Sequence, residues 1–181
     1  MIQKLLRLDA KLSAQLRLSQ NSKWWKLIAF LAHSGDSWFW MIGLFCIWLL
    51  GNKEWHQISA LMAAAVAGLA ILVIAIKFTI RRQRPAGEWG AIYRHTDPHS
   101  FPSGHAARAG LLAVLATGLG PTWFGGFILA WSPLVSMARV GTGVHYFSDI
   151  IAGVLLGVAA GFVFLAITPW VMQTFPIFFF K

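Results

Sequence analysis

The sequence predicts an all-α integral membrane protein: a bundle of about five transmembrane helices preceded by an amphipathic interfacial helix. Three observations carry this. Hydrophobic residues make up 57% of the chain and charged residues only 12%, about half the ~25% charged fraction of a soluble domain. The apolar residues form long runs broken by short polar stretches. Finally, of 10 tryptophans, Trp24, Trp25, Trp38, Trp40, Trp55 and Trp170 cluster near the ends of those runs, as in an interfacial aromatic belt. Such an apolar chain is not disordered, and its 181 residues allow one domain. A net charge of +9 calls for an anionic partner: lipid headgroups, a phosphorylated substrate or nucleic acid. Nucleic acid is excluded as a partner by the lipid-embedded character of the chain. The single cysteine, Cys46, forms no internal disulfide. The first 20 residues lack the apolar core of a secretory signal.

The elements follow in order. Residues 1–34 are an interfacial lead-in. Leu5, Leu8, Leu12 and Leu16 recur every three or four positions with Lys4, Arg7, Lys11 and Arg17 between them. This is an amphipathic helix suited to a membrane interface or to packing on the rest of the protein. The run from Trp24 to His33 is too short to cross ~30 Å of hydrocarbon. Residues 35–168 form the bundle: spans at 37–50, 58–80, 105–119, from Pro121 to about 137, and 147–167, the last stopped by Pro169. The aromatic tail, 169–181, is interfacial. Gly153, Gly157 and Gly161 make one small-residue face. It permits close helix approach, within the chain or in a homodimer.

Three polar stretches interrupt the apolar chain: Lys77 to Pro85, Pro102-Ser103-Gly104-His105, and Arg139 to Asp149. Lys77 and Arg84 are seven apart, so a continuing helix points both the same way, and Pro85 ends it. Counting membrane crossings brings all three stretches to one face. Lys77, Arg84 and Arg139 are then three cations suited to a tetrahedral oxyanion. Ser103 caps the next span, Gly104 lets backbone approach a ligand, and the helix N-terminus favours an anion. His145 and Asp149 are i and i+4, so the carboxylate fixes the tautomer and leaves a nucleophilic ring nitrogen. His105 is placed to act as acid and base. This reading is in-line attack by His145 on phosphorus, a phosphohistidine, and then hydrolysis. The sequence shows no metal-ligand cluster, so neither metal nor cofactor is expected.

The combination K-x6-R-P, P-S-G-H and R-x5-H-x3-D over Lys77–Asp149 resembles the type 2 phosphatidic acid phosphatase (PAP2) superfamily, which also includes vanadium haloperoxidases and soluble acid phosphatases. The resemblance implies a metal-independent membrane phosphatase. Lys77, Arg84, Ser103, Gly104 and Arg139 would bind phosphate, with His105 as acid/base, His145 as nucleophile and Asp149 as its orienter. Substrates of membrane members are phosphatidic acid, phosphatidylglycerophosphate, polyprenyl diphosphates or lipid A. Ala138 stands where the family's third signature has Ser, removing one accessory phosphate contact. Many members have six spans, and this chain lacks the first.

Arg81 and Arg82 are read as headgroup or juxtamembrane contacts rather than catalytic groups, His33 and Asp36 as an interfacial helix cap or a substrate-headgroup contact, His56 as having no role, and residues 86–101 as an ordinary polar loop or a substrate lid. The alternatives to hydrolysis are a lipid phosphotransferase using the same intermediate and a non-catalytic phospholipid-binding or transport protein. The expected location is a bacterial inner membrane. Lys/Arg bias puts the catalytic face in the cytoplasm, although bacterial relatives often work on the outer face.

Overall fold

The computed structural model describes residues 2–86 and 97–179. Its described residues are helical: α1 Ile2–Leu16, α2 Trp25–Ser34, α3 Ser37–Leu50, α4 Lys53–Ile80, α5 Gly104–Leu119, α6 Thr122–Gly141 and α7 Phe147–Thr174, with a final 3-10 turn at Pro176–Phe178. No strand occurs among them; Gln83 and His99 form one isolated antiparallel bridge. Three helices, α4, α6 and α7, are long and apolar enough to cross a membrane, and α3 is a shorter apolar helix. The 16 residues of α5 reach only ~24 Å.

Lipid tails are as apolar as leucine, so helices in a bilayer associate by close packing rather than by hydrophobic transfer. The small residues of α5 serve this purpose: Ala106, Ala107, Ala109, Ala113 and Ala116 are all buried. The glycine stripe of α7 lies directly on them. A Cβ added at Gly157 would sit 1.9 Å from the carbonyl oxygen of Ala107, so the two backbones touch there. Around this contact Met62, Leu69, Leu111, Leu112, Leu115 and Ile128 fill the core. The Gly153, Gly157 and Gly161 face is therefore filled by Ser103, Ala107 and Val114 of the same chain. Of the two readings of that face, the close approach within the chain is the one the structure shows.

Two helix ends differ from expectation. Helix α4 stops at Ile80, where Arg81 takes a left-handed conformation (φ 53°) and its N–H donates to Lys77 O. Arg84 thus lies beyond the helix, in the segment that bridges to His99. Pro169 does not end α7, which continues to Thr174. A proline removes one ladder bond, and transmembrane helices tolerate this where nearby groups compensate; the Thr168 hydroxyl donates to Phe164 O at 2.9 Å. Part of the tail packs on the bundle, while Phe175, Ile177 and Phe178 stay exposed. Phe179 is buried with Leu61 and Val171, and Trp48 Nε1 donates to Phe178 O at 2.9 Å.

Candidate active site

The end of α4, the start of α5, the end of α6 and the approach to α7 meet around one cavity of 320 Å³. Its lining includes Lys77, Arg84, Gly104, His105, Arg139 and His145. Six of the eight residues picked out for the site thus share one wall. The other two stand behind it. Ser103 is fully buried; its hydroxyl accepts from Ala106 N at 3.4 Å, capping α5. Asp149 is fully buried behind His145.

His145 sits between α6 and α7 with its ring held from both sides. Arg84 Nη1 lies 3.1 Å from Nε2, and Asp149 Oδ2 lies 3.5 Å from Nδ1. A guanidinium only donates, so Nε2 carries the lone pair and Nδ1 the proton, which lies beside the Asp149 carboxylate without being hydrogen-bonded to it. Burial first, then the charges of Arg84, Arg139 and Lys77, push this imidazole well below its ordinary value of 6.5. That direction favours the neutral imidazole.

The cationic wall already grips an oxyanion. One carboxylate oxygen of Asp97 accepts from Lys77 Nζ at 2.6 Å and from Arg84 Nη2 at 2.8 Å. Arg84 is further fixed by donating to Asp97 O and to Val144 O. Lys77 also donates to His99 O at 2.8 Å. Residues 97–99 are the described end of the loop considered as a lid; residues 87–96 of that loop, with Glu88, Tyr93, Arg94 and His95, lie outside the described residues.

His105 is held by a partner 69 positions away: its Nε2 lies 2.7 Å from Asp36 Oδ1. The other oxygen of Asp36 lies 3.1 Å from Nδ1 of His33. Burial works to raise the Asp36 carboxyl, but the hydrogen bonds and charges of His105 and His33 outweigh it and hold it at about 2. Asp36 makes no side-chain cap bond to α3, so the capping expectation is corrected. Gly35 makes the approach possible, because a Cβ there would lie 3.1 Å from His105 Cδ2.

Two arginines were missed or misread from sequence. Arg108, inside α5, lines the cavity and donates to Gly35 O and Ser37 Oγ. An arginine within a predicted span is a functional signal in itself. Arg82 is not a headgroup contact. Its Nη1 donates to Asp149 Oδ1 at 2.7 Å and its Nη2 to Asp9 Oδ2 at 2.6 Å. His56, which received no role, bonds Trp48 O at 2.7 Å and stacks on its ring, away from the cavity lining.

The family model of the PAP2 superfamily matches residues 58–173. Decaprenylphosphoryl-5-phosphoribose phosphatase of Mycobacterium tuberculosis is 35% identical over 143 residues, covering 72% of this chain and 73% of the relative. Undecaprenyl-diphosphatase of Sulfolobus acidocaldarius is 31% identical over 135 residues, covering 72% and 64%. Two solved structures share the fold. A transmembrane PAP2-type phosphatidylglycerolphosphate phosphatase from Bacillus subtilis gives a TM-score of 0.74 at 21% identity, covering 93% of this chain and 88% of that one. LpxE of Aquifex aeolicus gives 0.68 at 20% identity, covering 86% and 93%.

Proposed function

The chain belongs to the PAP2 superfamily and is a membrane phosphatase; from that premise we propose that it releases phosphate from a lipid phosphate monoester or diphosphate through a phosphohistidine on His145. The observation that carries this reading is the single cavity that gathers Lys77, Arg84, Arg139, His105 and His145.

In the first step the Nε2 lone pair of His145 forms a bond to phosphorus as the bond to the leaving oxygen breaks, and His105 delivers a proton to that oxygen. In the second, water attacks the phosphohistidine, His105 takes its proton, and the P–N bond breaks to free phosphate. Lys77, Arg84 and Arg139 neutralise the equatorial oxygens throughout, the kind of preorganised stabilisation that dominates phosphoryl transfer. Asp149 steadies the charge that His145 acquires. These fixed cations support a metal-independent reaction.

The remaining wall of the cavity suits a lipid. Val66, Leu69, Ala70, Val73, Ile74 and Phe78 of α4 line it, with Ile74 and Phe78 exposed toward the bilayer. A headgroup enters at the cations while its tail stays beside α4. Both sequence relatives are named for polyprenyl substrates, which favours a polyprenyl carrier over a glycerolipid.

We assign the catalytic face to the cytoplasmic side. Lys4, Arg7, Lys11, Arg17, Lys23 and Lys26 all precede α3, and none lines the cavity, so catalysis does not account for them. An impermeant thiol reagent on whole cells, in a Cys46-free background, should label a cysteine at position 53 and not one at position 11; the reverse pattern overturns the assignment. Phosphate release by the purified protein with EDTA present, across phosphatidic acid, phosphatidylglycerophosphate and undecaprenyl diphosphate, tests the activity. Turnover of the polyprenyl substrate is expected, and inertness toward all three would contradict it.

A further inference from the structure

Helix α1 is attached to the bundle in an unusual way. Of its described side chains, Ser13 is buried, Asp9 is partly buried, and the rest are exposed. Leu5, Leu8, Leu12 and Leu16 are 45–59% exposed, and Lys4, Arg7 and Lys11 stand out beside them. An amphipathic helix that holds a protein by its polar side and turns leucines outward needs an apolar medium on that outer side.

The inward pair meets the nucleophile's supports. The Ser13 hydroxyl accepts from Phe147 N at 2.9 Å, and Asp9 Oδ1 accepts from Ser148 N at 3.0 Å. These are the first two amides of α7, which that helix cannot satisfy itself. Asp9 Oδ2 takes Arg82 Nη2, and the same guanidinium donates through Nη1 to Ser148 Oγ and Asp149 Oδ1, both at 2.7 Å. The guanidinium lies over the ring of Tyr146 at 4.1 Å, and Tyr146 N donates to Asp149 Oδ2 at 2.9 Å. A continuous chain of charge-assisted bonds therefore runs from Asp9 through Arg82 to Asp149, which orients His145.

We infer that α1 is an interface-sensing element: its leucine and lysine face docks into an anionic leaflet of the membrane the bundle spans, and that docking sets the Asp9–Arg82–Asp149 chain that orients His145. The occupant follows from position and charge. Helix α1 packs against α6 and α7 at the cavity end. Its outward charges are all positive, because Asp9, its one acidic residue, is turned inward to Arg82. Arg82 and Asp9 act through Asp149 and are positioning residues. The inference rests on the phosphatase reading above.

The test uses the full-length protein in nanodiscs, which leave both faces accessible. One lipid is phosphatidylcholine alone, and the other is rich in phosphatidylglycerol. The probe is para-nitrophenyl phosphate, which is soluble and needs no lipid access, with phosphatidic acid assayed in parallel. For the wild type, kcat on the soluble ester should be about tenfold higher in the anionic discs, a scale set by small misplacements of catalytic groups, with KM unchanged. The outward-face substitutions Leu8→Gln and Leu12→Gln, at side chains 49% and 51% exposed, should bring kcat in anionic discs down to the neutral-disc value. Asp9→Asn and Arg82→Lys should lower kcat in both lipids and abolish the difference between them. Should Asp9→Asn fail to insert, the leucine variants alone decide. A soluble-ester kcat indifferent to lipid charge and to the leucine substitutions makes α1 a mere anchor and overturns the inference while leaving the phosphatase reading intact. A wild type inert toward both substrates and toward undecaprenyl diphosphate overturns the two together.

Discussion

Arg84 Nη1 stands 3.1 Å from Nε2 of His145, on the ring edge opposite Asp149. The same cation that the mechanism gives to the phosphate thus fixes, in the unliganded site, which nitrogen of the imidazole bears the lone pair. Asp149→Asn keeps the shape but gives up the carboxylate behind Nδ1. It should lower kcat severely without abolishing it, because Arg84 still restrains the ring. Steady-state kinetics on a lipid phosphate measure this, and an unchanged kcat would contradict the orienting role.

The imidazole of His145 is pushed well below 6.5 by burial and then by Arg84, Arg139 and Lys77. The attacking form is the neutral one, so a depressed value extends activity toward acid. The acid limb of kcat/KM, corrected for ionisation of the substrate, should lie below pH 6.5. Arg84→Gln removes one repelling charge and should move that limb upward in pH while lowering the maximum. A limb unmoved by the substitution would count against the electrostatic cause.

Asp97 occupies with one oxygen the place where a phosphate oxygen would meet Lys77 and Arg84. Its side chain is 41% exposed, so the pair is partly screened and worth at most about 1 kcal/mol. Asp97→Asn should therefore tighten inhibition by inorganic phosphate a few-fold, read as a lower inhibition constant. Weaker inhibition would show that Asp97 helps build the cradle rather than competing for it.

Asp36 holds His105 at 2.7 Å. Asp36→Asn should cut kcat by about 10²-fold, within the range for general acid–base catalysis, with KM nearly unchanged. His33→Ala, one contact further out, should cost much less. A raised KM with kcat unchanged would place Asp36 in binding instead.

Helices α5 and α7 bring Ser103–His105 beside Tyr146–Asp149 because their backbones touch; Ser103 N donates to Asp149 O at 3.0 Å. Gly157→Ala inserts a Cβ 1.9 Å from Ala107 O and should destabilise the protein by about 1–3 kcal/mol, the usual scale of overpacking, with loss of activity. Gly68→Ala, where a Cβ meets nothing within 4 Å, is the matched control and should leave the melting temperature within a degree or two. Equal behaviour of the two would refute the close-contact account.

The sequence exposed the site's reactive groups because charges and imidazoles are costly in a lipid-embedded chain, and the crossings of four helices bring them to one face. It did not expose who holds them. Asp36 reaches His105 across 69 positions, Arg82 reaches Asp149 across 67, and Asp9 reaches Ser148 across 139. No local period encodes such pairs, and taken alone each residue reads as an interfacial polar group. The end of α4 was misplaced because Pro85 is visible in a sequence, while the left-handed turn at Arg81 is not. The glycine stripe announced close packing, and its partner is legible too: Ala106 and Gly110, and Ala109 and Ala113, are small residues four apart on α5.

The most direct measurement of the central claim is a phosphoenzyme trap. The purified protein is mixed with radiolabelled lipid phosphate, quenched in alkali, where phosphohistidine survives, and mapped by mass spectrometry. Label is expected on His145 and is expected to be absent from His145→Ala, a variant that should still insert but release no phosphate. Label on another residue, or sustained turnover by His145→Ala, would contradict it.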